Sequence, residues 1–168
     1  MCAKGTVGQM TKIKICGLSR ECDIEYANML MPDFIGFVFF SQSKKYVNAE
    51  KAQELKNALD MRIKSVGVFV NESPELICRL YDNGVIDYAQ LHGTENNNYV
   101  EALRSCCRIP IIKAFSVSGE RDAAEAERLC ADYILLDNGN GGTGKSFDWS
   151  FLSVSYTHLR AHETEADL

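Results

Sequence analysis

An α/β fold of parallel strands, each followed by a helix, is predicted by three features of this 168-residue sequence. Six short runs are apolar, β-branched or aromatic without alternation, the pattern of strands covered on both faces. Amphipathic helical patterns fill the gaps between them. The two patterns alternate about every 20 to 30 residues with no second type of segment, which points to an α/β barrel or a doubly wound sheet. A complete barrel needs eight βα units and typically ~250 residues. Six units therefore define either an open doubly wound sheet or a barrel that has lost its end.

The first run, Ile13 to Ile15, leads into Cys16 and Gly17, the carboxyl end of a strand entering a turn. Ser19 is placed to cap the helix that follows. The second run is Phe34 to Phe40, with Ser43-Lys-Lys-Tyr46 in the loop behind it. Ala52, Leu55 and Leu59 then share one helical face. After the third run, Val66 to Val70, Ser73 and Pro74 form an N-cap and first-turn pair, and Gly84 is a stop for that helix. The fourth run, Tyr88 to Leu91, closes in Gln90-Leu-His-Gly93, and Val100, Leu103 and Cys107 share the next helical face. Pro110 to Phe115 and Tyr133 to Leu136 are the fifth and sixth runs. No seventh run follows. The stretch from about Val154 holds two of the three histidines, His158 and His162, and reads as a solvated tail that resembles a translated cloning adapter. The expected organisation is an N-terminal extension (1–11), the α/β unit (12–152) and a tail (153–168).

Composition excludes several classes. Apolar content of 46% and charged content of 24% are ordinary for a globular domain. A net charge of −5 with interleaved Lys and Glu offers no basic stripe for nucleic acid and no basic amphipathic segment for a membrane. Seven cysteines, without CxxC or Cys/His metal spacing, read as reduced thiols of a cytoplasmic protein. The first eleven residues have no apolar run, and are expected to be neither signal peptide nor anchor.

Chemistry is expected where strands end, since parallel α/β folds place their sites there. Cys16 can be a nucleophile, a base or a small buried hydrophobe. Asp137 stands behind three apolar residues, where partial desolvation tends to raise a carboxyl's pKa and suit it to donate a proton; otherwise it caps the loop beyond. Strand alternation puts Gln90 and His92 on one side, as hydrogen-bonded structure or as substrate contacts. Lys45 is a solvated lysine or a holder of an anionic group. Gly139-Asn-Gly-Gly-Thr-Gly-Lys-Ser146 formally fits the phosphate-cradling pattern of nucleotide hydrolases, which makes a P-loop-like nucleotide-binding α/β domain the alternative function. Against it, such a fold needs an acidic magnesium-binding strand and further strands beyond the loop. The plainer reading is a Gly-rich loop over a site.

These elements together resemble the phosphoribosylanthranilate isomerase family of tryptophan biosynthesis. The resemblance runs from about Lys12 to Leu152. It is carried by Lys14-Ile-Cys-Gly17, Gly36-Phe-Val-Phe39, Ser43-Lys-Lys-Tyr46, Val66-Gly-Val-Phe-Val-Asn71, Gln90-Leu-His-Gly93, Ile112-Lys-Ala-Phe115, Leu135-Leu-Asp137, Gly141-Gly-Thr-Gly144 and Phe147-Asp-Trp149. It implies a (βα)8 TIM barrel, here about six units, and a cofactor-free, metal-free Amadori rearrangement of a small phosphosugar substrate. In that mapping Asp137 is the general acid that opens the ribose ring. Cys16 is the general base at C2′ and must be at least partly thiolate. Lys45, Gln90, His92, Gly141 and Gly142 bind substrate, and the full-length parent is a monomer or homodimer. A related isomerase serving both histidine and tryptophan synthesis uses paired Asp residues and lacks the first-strand cysteine. Two departures stand out. Lys45 replaces the arginine that grips the anthranilate carboxylate, keeping the charge without the bidentate fork. The family's seventh and eighth strands, which carry the phosphate-binding turns, have no counterpart, so the chain as given is expected to be inactive and poorly soluble.

Overall fold

The computed structural model describes residues 11–116 and 130–137, with backbone alone at 116, 136 and 137. Strands and helices alternate as far as β5, and β6 is the last described element: β1 (Lys14–Cys16), α1 (Glu21–Leu30), β2 (Phe34–Val38), α2 (Ala49–Ala58), β3 (Lys64–Phe69), α3 (Pro74–Asp82), β4 (Tyr88–Leu91), α4 (Asn97–Cys106), β5 (Ile111–Ser116) and β6 (Tyr133–Asp137). The six strands are parallel and bonded in chain order, β1-β2-β3-β4-β5-β6. That order decides between the two architectures. A doubly wound sheet reverses at a switch point, so its strand order departs from chain order. A barrel adds each new strand beside the last, as here.

The sheet is also curled. Lys14 on β1 donates a hydrogen bond to Oε1 of Gln90 on β4. In a flat sheet three strand spacings of about 4.8 Å would hold those backbones roughly 14 Å apart, beyond the reach of the two side chains. The rings of Phe34 and Tyr88 lie 5.4 Å apart edge-on, and those of Tyr88 and Tyr133 lie 6.1 Å apart. These rings begin β2, β4 and β6, so alternate strands supply one interior layer, as in TIM barrels. The described residues thus form six parallel strands of a barrel wall, wound in chain order.

The opposite face of the sheet packs on the helices. Ile35, Phe37, Phe69, Leu91 and Ile111 join Ile24, Leu55, Ile77 and Leu103 in one buried cluster. Full burial of each such side chain contributes about 1.5–3 kcal/mol. Ala52, Leu55 and Leu59 share their buried face, as do Val100, Leu103 and Cys107. Helix α3 starts as its sequence predicts: the Ser73 hydroxyl accepts from Leu76 N–H, and Pro74 opens the first turn. Gly84 follows the helix at φ 70, a left-handed conformation that suits glycine. Helix α1 differs from expectation, because its cap is Arg20 and not Ser19. The Asp23 carboxylate, one turn inside, takes the N–H groups of both residues, at 3.0 and 2.9 Å. A carboxylate at N3 that reaches back to the cap N–H also sets a negative charge at the positive end of the helix. Arg20 and the backbone hold the Asp23 carboxyl down at about 2, against the opposing effect of burial.

One device recurs at the amino ends of the strands. Asp33, Asp87 and Asp132 stand immediately before β2, β4 and β6, and each accepts a backbone N–H from the start of the preceding strand. The donors are Ile13, Ser65 and Ile111, each at 2.8 Å. Asp87 is the most elaborated, with the Ser65 hydroxyl at 2.9 Å and the Lys56 ammonium at 2.7 Å. Burial opposes its ionisation, but Lys56 and Ser65 outweigh it and hold the carboxyl below its ordinary value.

Candidate active site

Cys16 is the last residue of β1 and is exposed at the carboxyl end of the sheet. Its register partner is Gly36 on β2. A methyl group built at Gly36 would meet the Cys16 sulfur at 2.6 Å, so the missing side chain makes the room that the thiol occupies. The chain then turns at Gly17, φ 80, where its N–H and that of Leu18 both donate to the Gly36 carbonyl, at 3.0 and 3.1 Å. These bonds fix the sulfur against the β2 backbone.

The loop after β2 folds back toward the same point. Tyr46 bridges Val38, Val47 N–H donates to the Val38 carbonyl at 2.9 Å, and Lys45 N–H donates to the Ser43 hydroxyl at 3.1 Å. Lys45 is thereby laid across the turn, its Cγ 3.3 Å from where a Gly17 side chain would begin. A cationic side chain and the thiol share one corner of the mouth.

Gln90 lies lower on the inner wall, 1% exposed, and accepts from Lys14. His92 follows β4, half-buried, with its N–H on the Phe69 carbonyl at 2.8 Å. What fixes this corner is a network that sequence reasoning missed. Lys113 on β5 and Glu95, with side chains 4% and 1% exposed, form an ion pair at 2.9 Å. Lys113 also donates to the carbonyls of Leu91 and Gly93, at 3.2 and 2.6 Å. Glu95 accepts from the N–H groups of Asn71 and Gly93, at 2.7 and 2.9 Å. Asn71, left-handed at φ 51, accepts from Thr94 N–H at 2.9 Å. Burial works against the Glu95 charge, but Lys113 and the Asn71 N–H hold its carboxyl below the usual range. A lysine inside the apolar run Ile111 to Phe115 was the available signal, since a charge in a strand covered on both faces needs a buried partner.

Asp137 is the last residue of β6, in register with Ser116. Gly141 and Gly142 lie outside the described residues, as does the rest of the Gly139 to Ser146 loop. The structure therefore brings Cys16 and Lys45 together, stacks Lys14 and Gln90 beneath them, and sets His92 on the far side of the mouth. Among the described residues, no group of three or more His, Cys, Asp or Glu side chains is placed to hold a metal ion.

Sequential winding, a layered interior and polar groups collected at the carboxyl ends define the class: a (βα)-barrel enzyme with its site at the mouth. Residues 13–162 match the family model described as N-(5'phosphoribosyl)anthranilate (PRA) isomerase, and the chain belongs to that family. The Clostridium acetobutylicum N-(5'-phosphoribosyl)anthranilate isomerase is 41% identical over 147 residues, covering 85% of this chain and 70% of the relative. The crystal structure of the Thermotoga maritima phosphoribosyl anthranilate isomerase superposes with a TM-score of 0.74 at 38% identity, covering 84% of this chain and 70% of the other. A second structure (36% identity, TM-score 0.70, covering 84% of this chain and 68% of the other) is a phosphoribosyl anthranilate isomerase in complex with reduced 1-(O-carboxyphenylamino)-1-deoxyribulose 5-phosphate.

Proposed function

We propose that Cys16 and Asp137 carry out the isomerisation of N-(5'-phosphoribosyl)anthranilate at the mouth of this barrel. The activity is that of the family, a step of tryptophan biosynthesis. The observation that supports the assignment of roles is the corner where Cys16, exposed at the end of β1, is followed by Gly17, against which the stem of Lys45 is laid.

The rearrangement needs a proton delivered and a proton removed. Asp137 donates to the ribose ring oxygen; the C1′–O bond breaks, and the anilino nitrogen lone pair forms the Schiff base. The Cys16 thiolate then takes the C2′ proton, and the resulting electron pair quenches the iminium as an enolamine. Tautomerisation gives the 1-amino-1-deoxyketose. Strand alternation supports the pairing, because Asp137 falls in the same alternating set of β6 as Tyr133 and Leu135. Lys45 grips the anthranilate carboxylate as a point charge. Gln90 and His92 complete the wall, and Gly141 and Gly142 border the substrate from the loop after β6. The enzyme works in the cytoplasm as a monomer or homodimer. No described helix is long and apolar enough to cross a membrane.

The chain spans 70% of the length of the Clostridium acetobutylicum relative. The test therefore uses a chimera in which that relative supplies the rest of the barrel. Cys16→Ser and Asp137→Asn are each expected to lower kcat/KM by at least about a hundredfold, the scale of a lost general base or acid. Near-parental turnover in Cys16→Ser would favour the related isomerase that works with paired carboxylates.

A further inference from the structure

We propose that Cys78 and Cys107 form a reversible dithiol–disulfide site that staples α3 to the end of α4 when a low-molecular-weight disulfide is present. This site is independent of the chemistry at the mouth. Cys78 lies on the buried face of α3, together with Ile77 and Leu80. Cys107 ends α4, its N–H held by the Leu103 carbonyl at 3.1 Å. The Cys78 thiol donates to the Cys107 sulfur at 2.6 Å and lies 3.9 Å from the Leu103 carbonyl oxygen. Both cysteines are buried, whereas Cys16, Cys106 and Cys130 are exposed.

A buried cysteine is ordinarily a small apolar filler. Two observations set this pair apart. The sulfurs, 2.6 Å apart, stand only about 0.6 Å beyond the length of a disulfide bond, so closure asks for a small side-chain shift. Their approach is also set by packing, since Ile77 and Leu80 of α3 join Val100 and Leu103 of α4 in one buried cluster. Among the described residues, Cys107 also borders a cavity of about 460 Å³ with Arg104, Arg108 and Asp132, the side from which a small oxidant reaches the pair. Burial, and then Cys107 and Cys106, push the Cys78 thiol above its ordinary value. Cys107 therefore opens the exchange. Its thiolate attacks the small disulfide, giving a mixed disulfide and one small thiol. Cys78 then attacks the Cys107 sulfur, the protein S–S bond forms, and the second small thiol leaves. Two protein S–H bonds become one S–S bond, and the two electrons and two protons end in the two small thiols. The bond joins residues 29 apart in sequence, and the segment it closes contains β4, Gln90 and His92.

The test maps the bond in the full chain. The protein is treated with hydroxyethyl disulfide at neutral pH, remaining thiols are blocked with iodoacetamide, and tryptic peptides are analysed by mass spectrometry without reduction. Cleavage after Lys64, Arg79, Arg104 and Arg108 puts Cys78 in one peptide and Cys106 with Cys107 in another. A link between these two peptides is expected as the main disulfide within the folded chain, reversed by dithiothreitol. It should be lost in Cys78→Ala and in Cys107→Ala and kept in Cys106→Ala. In urea the same treatment should spread links over the cysteines. The absence of the link in the folded parent overturns the proposal, as does an equal yield in urea, which would mean that the fold does not direct it. A link that survives Cys107→Ala and disappears in Cys106→Ala overturns it too. If Cys107→Ala does not fold, fragmentation of the linked peptides from the parent identifies the joined sulfur, and finding Cys106 there has the same force. The linked chain is expected to unfold at a higher urea midpoint than the dithiothreitol-treated chain; an unraised midpoint contradicts the staple.

Discussion

The two ends of the sheet are built from similar residues to opposite purposes. At the amino ends, Asp33, Asp87 and Asp132 each close one strand onto the next through a backbone N–H at 2.8 Å. Behind them Phe34, Tyr88 and Tyr133 fill the interior. At the carboxyl ends the charged groups divide. Glu95 and Lys113 are sealed inside and hold the turn after β4, while Cys16 and Lys45 are left exposed. The lower end thus spends its polar groups on joining strands. The upper end needs a buried scaffold so that a few polar groups can face substrate, the division of labour that barrel folds show in general.

That contrast can be broken at several strengths. Glu95→Ala is the harshest change, because it strands the Lys113 ammonium in the interior and releases the turn after β4. A loss of about 3–5 kcal/mol is expected in urea unfolding. Asp87→Asn at the lower end is milder, about 1–3 kcal/mol, since it weakens the clasp on Ser65 and Lys56 without burying a lone charge. Its signature is the pH dependence. The folded Asp87 carboxyl titrates below its ordinary value of 3.8, so its stabilisation is fully present above that pH and is lost as pH falls through the lower folded value. The parent should therefore lose more stability between about pH 5 and pH 2 than Asp87→Asn does; equal acid sensitivity would count against the clasp. Ser73→Ala, remote from both ends, should cost about 1 kcal/mol through the lost cap on α3.

How much of this was legible beforehand depends on the range of the interaction. Local signals read well: Ser73, Pro74 and Gly84 bound α3 as expected, and Tyr88–Leu91 is a strand with the expected limits. The barrel winding was not legible in the apolar runs alone, because runs covered on both faces serve a doubly wound sheet equally well; only the family resemblance implied it. Strand order settled it. Within the site, Cys16 stood out by ending a strand before a glycine. Its placement depends on Gly36, twenty residues away, whose missing side chain no local pattern announces. Glu95 was invisible because a glutamate in a polar turn reads as solvated. Only the fold shows that its partner, Lys113, arrives from the neighbouring strand.

The most direct measurement puts one residue from each end side by side in the chimera with the Clostridium acetobutylicum relative. Turnover of N-(5'-phosphoribosyl)anthranilate and Tm are recorded for Cys16→Ser and Asp87→Asn. Cys16→Ser is expected to lose at least about a hundredfold in kcat/KM at an unchanged Tm. Asp87→Asn is expected to lose several degrees of Tm, roughly 2–4 °C for each kcal/mol in a barrel of this size, at unchanged kcat/KM. Parental turnover in Cys16→Ser, with the rate falling instead in Asp87→Asn, would contradict the assignment of chemistry to the carboxyl ends.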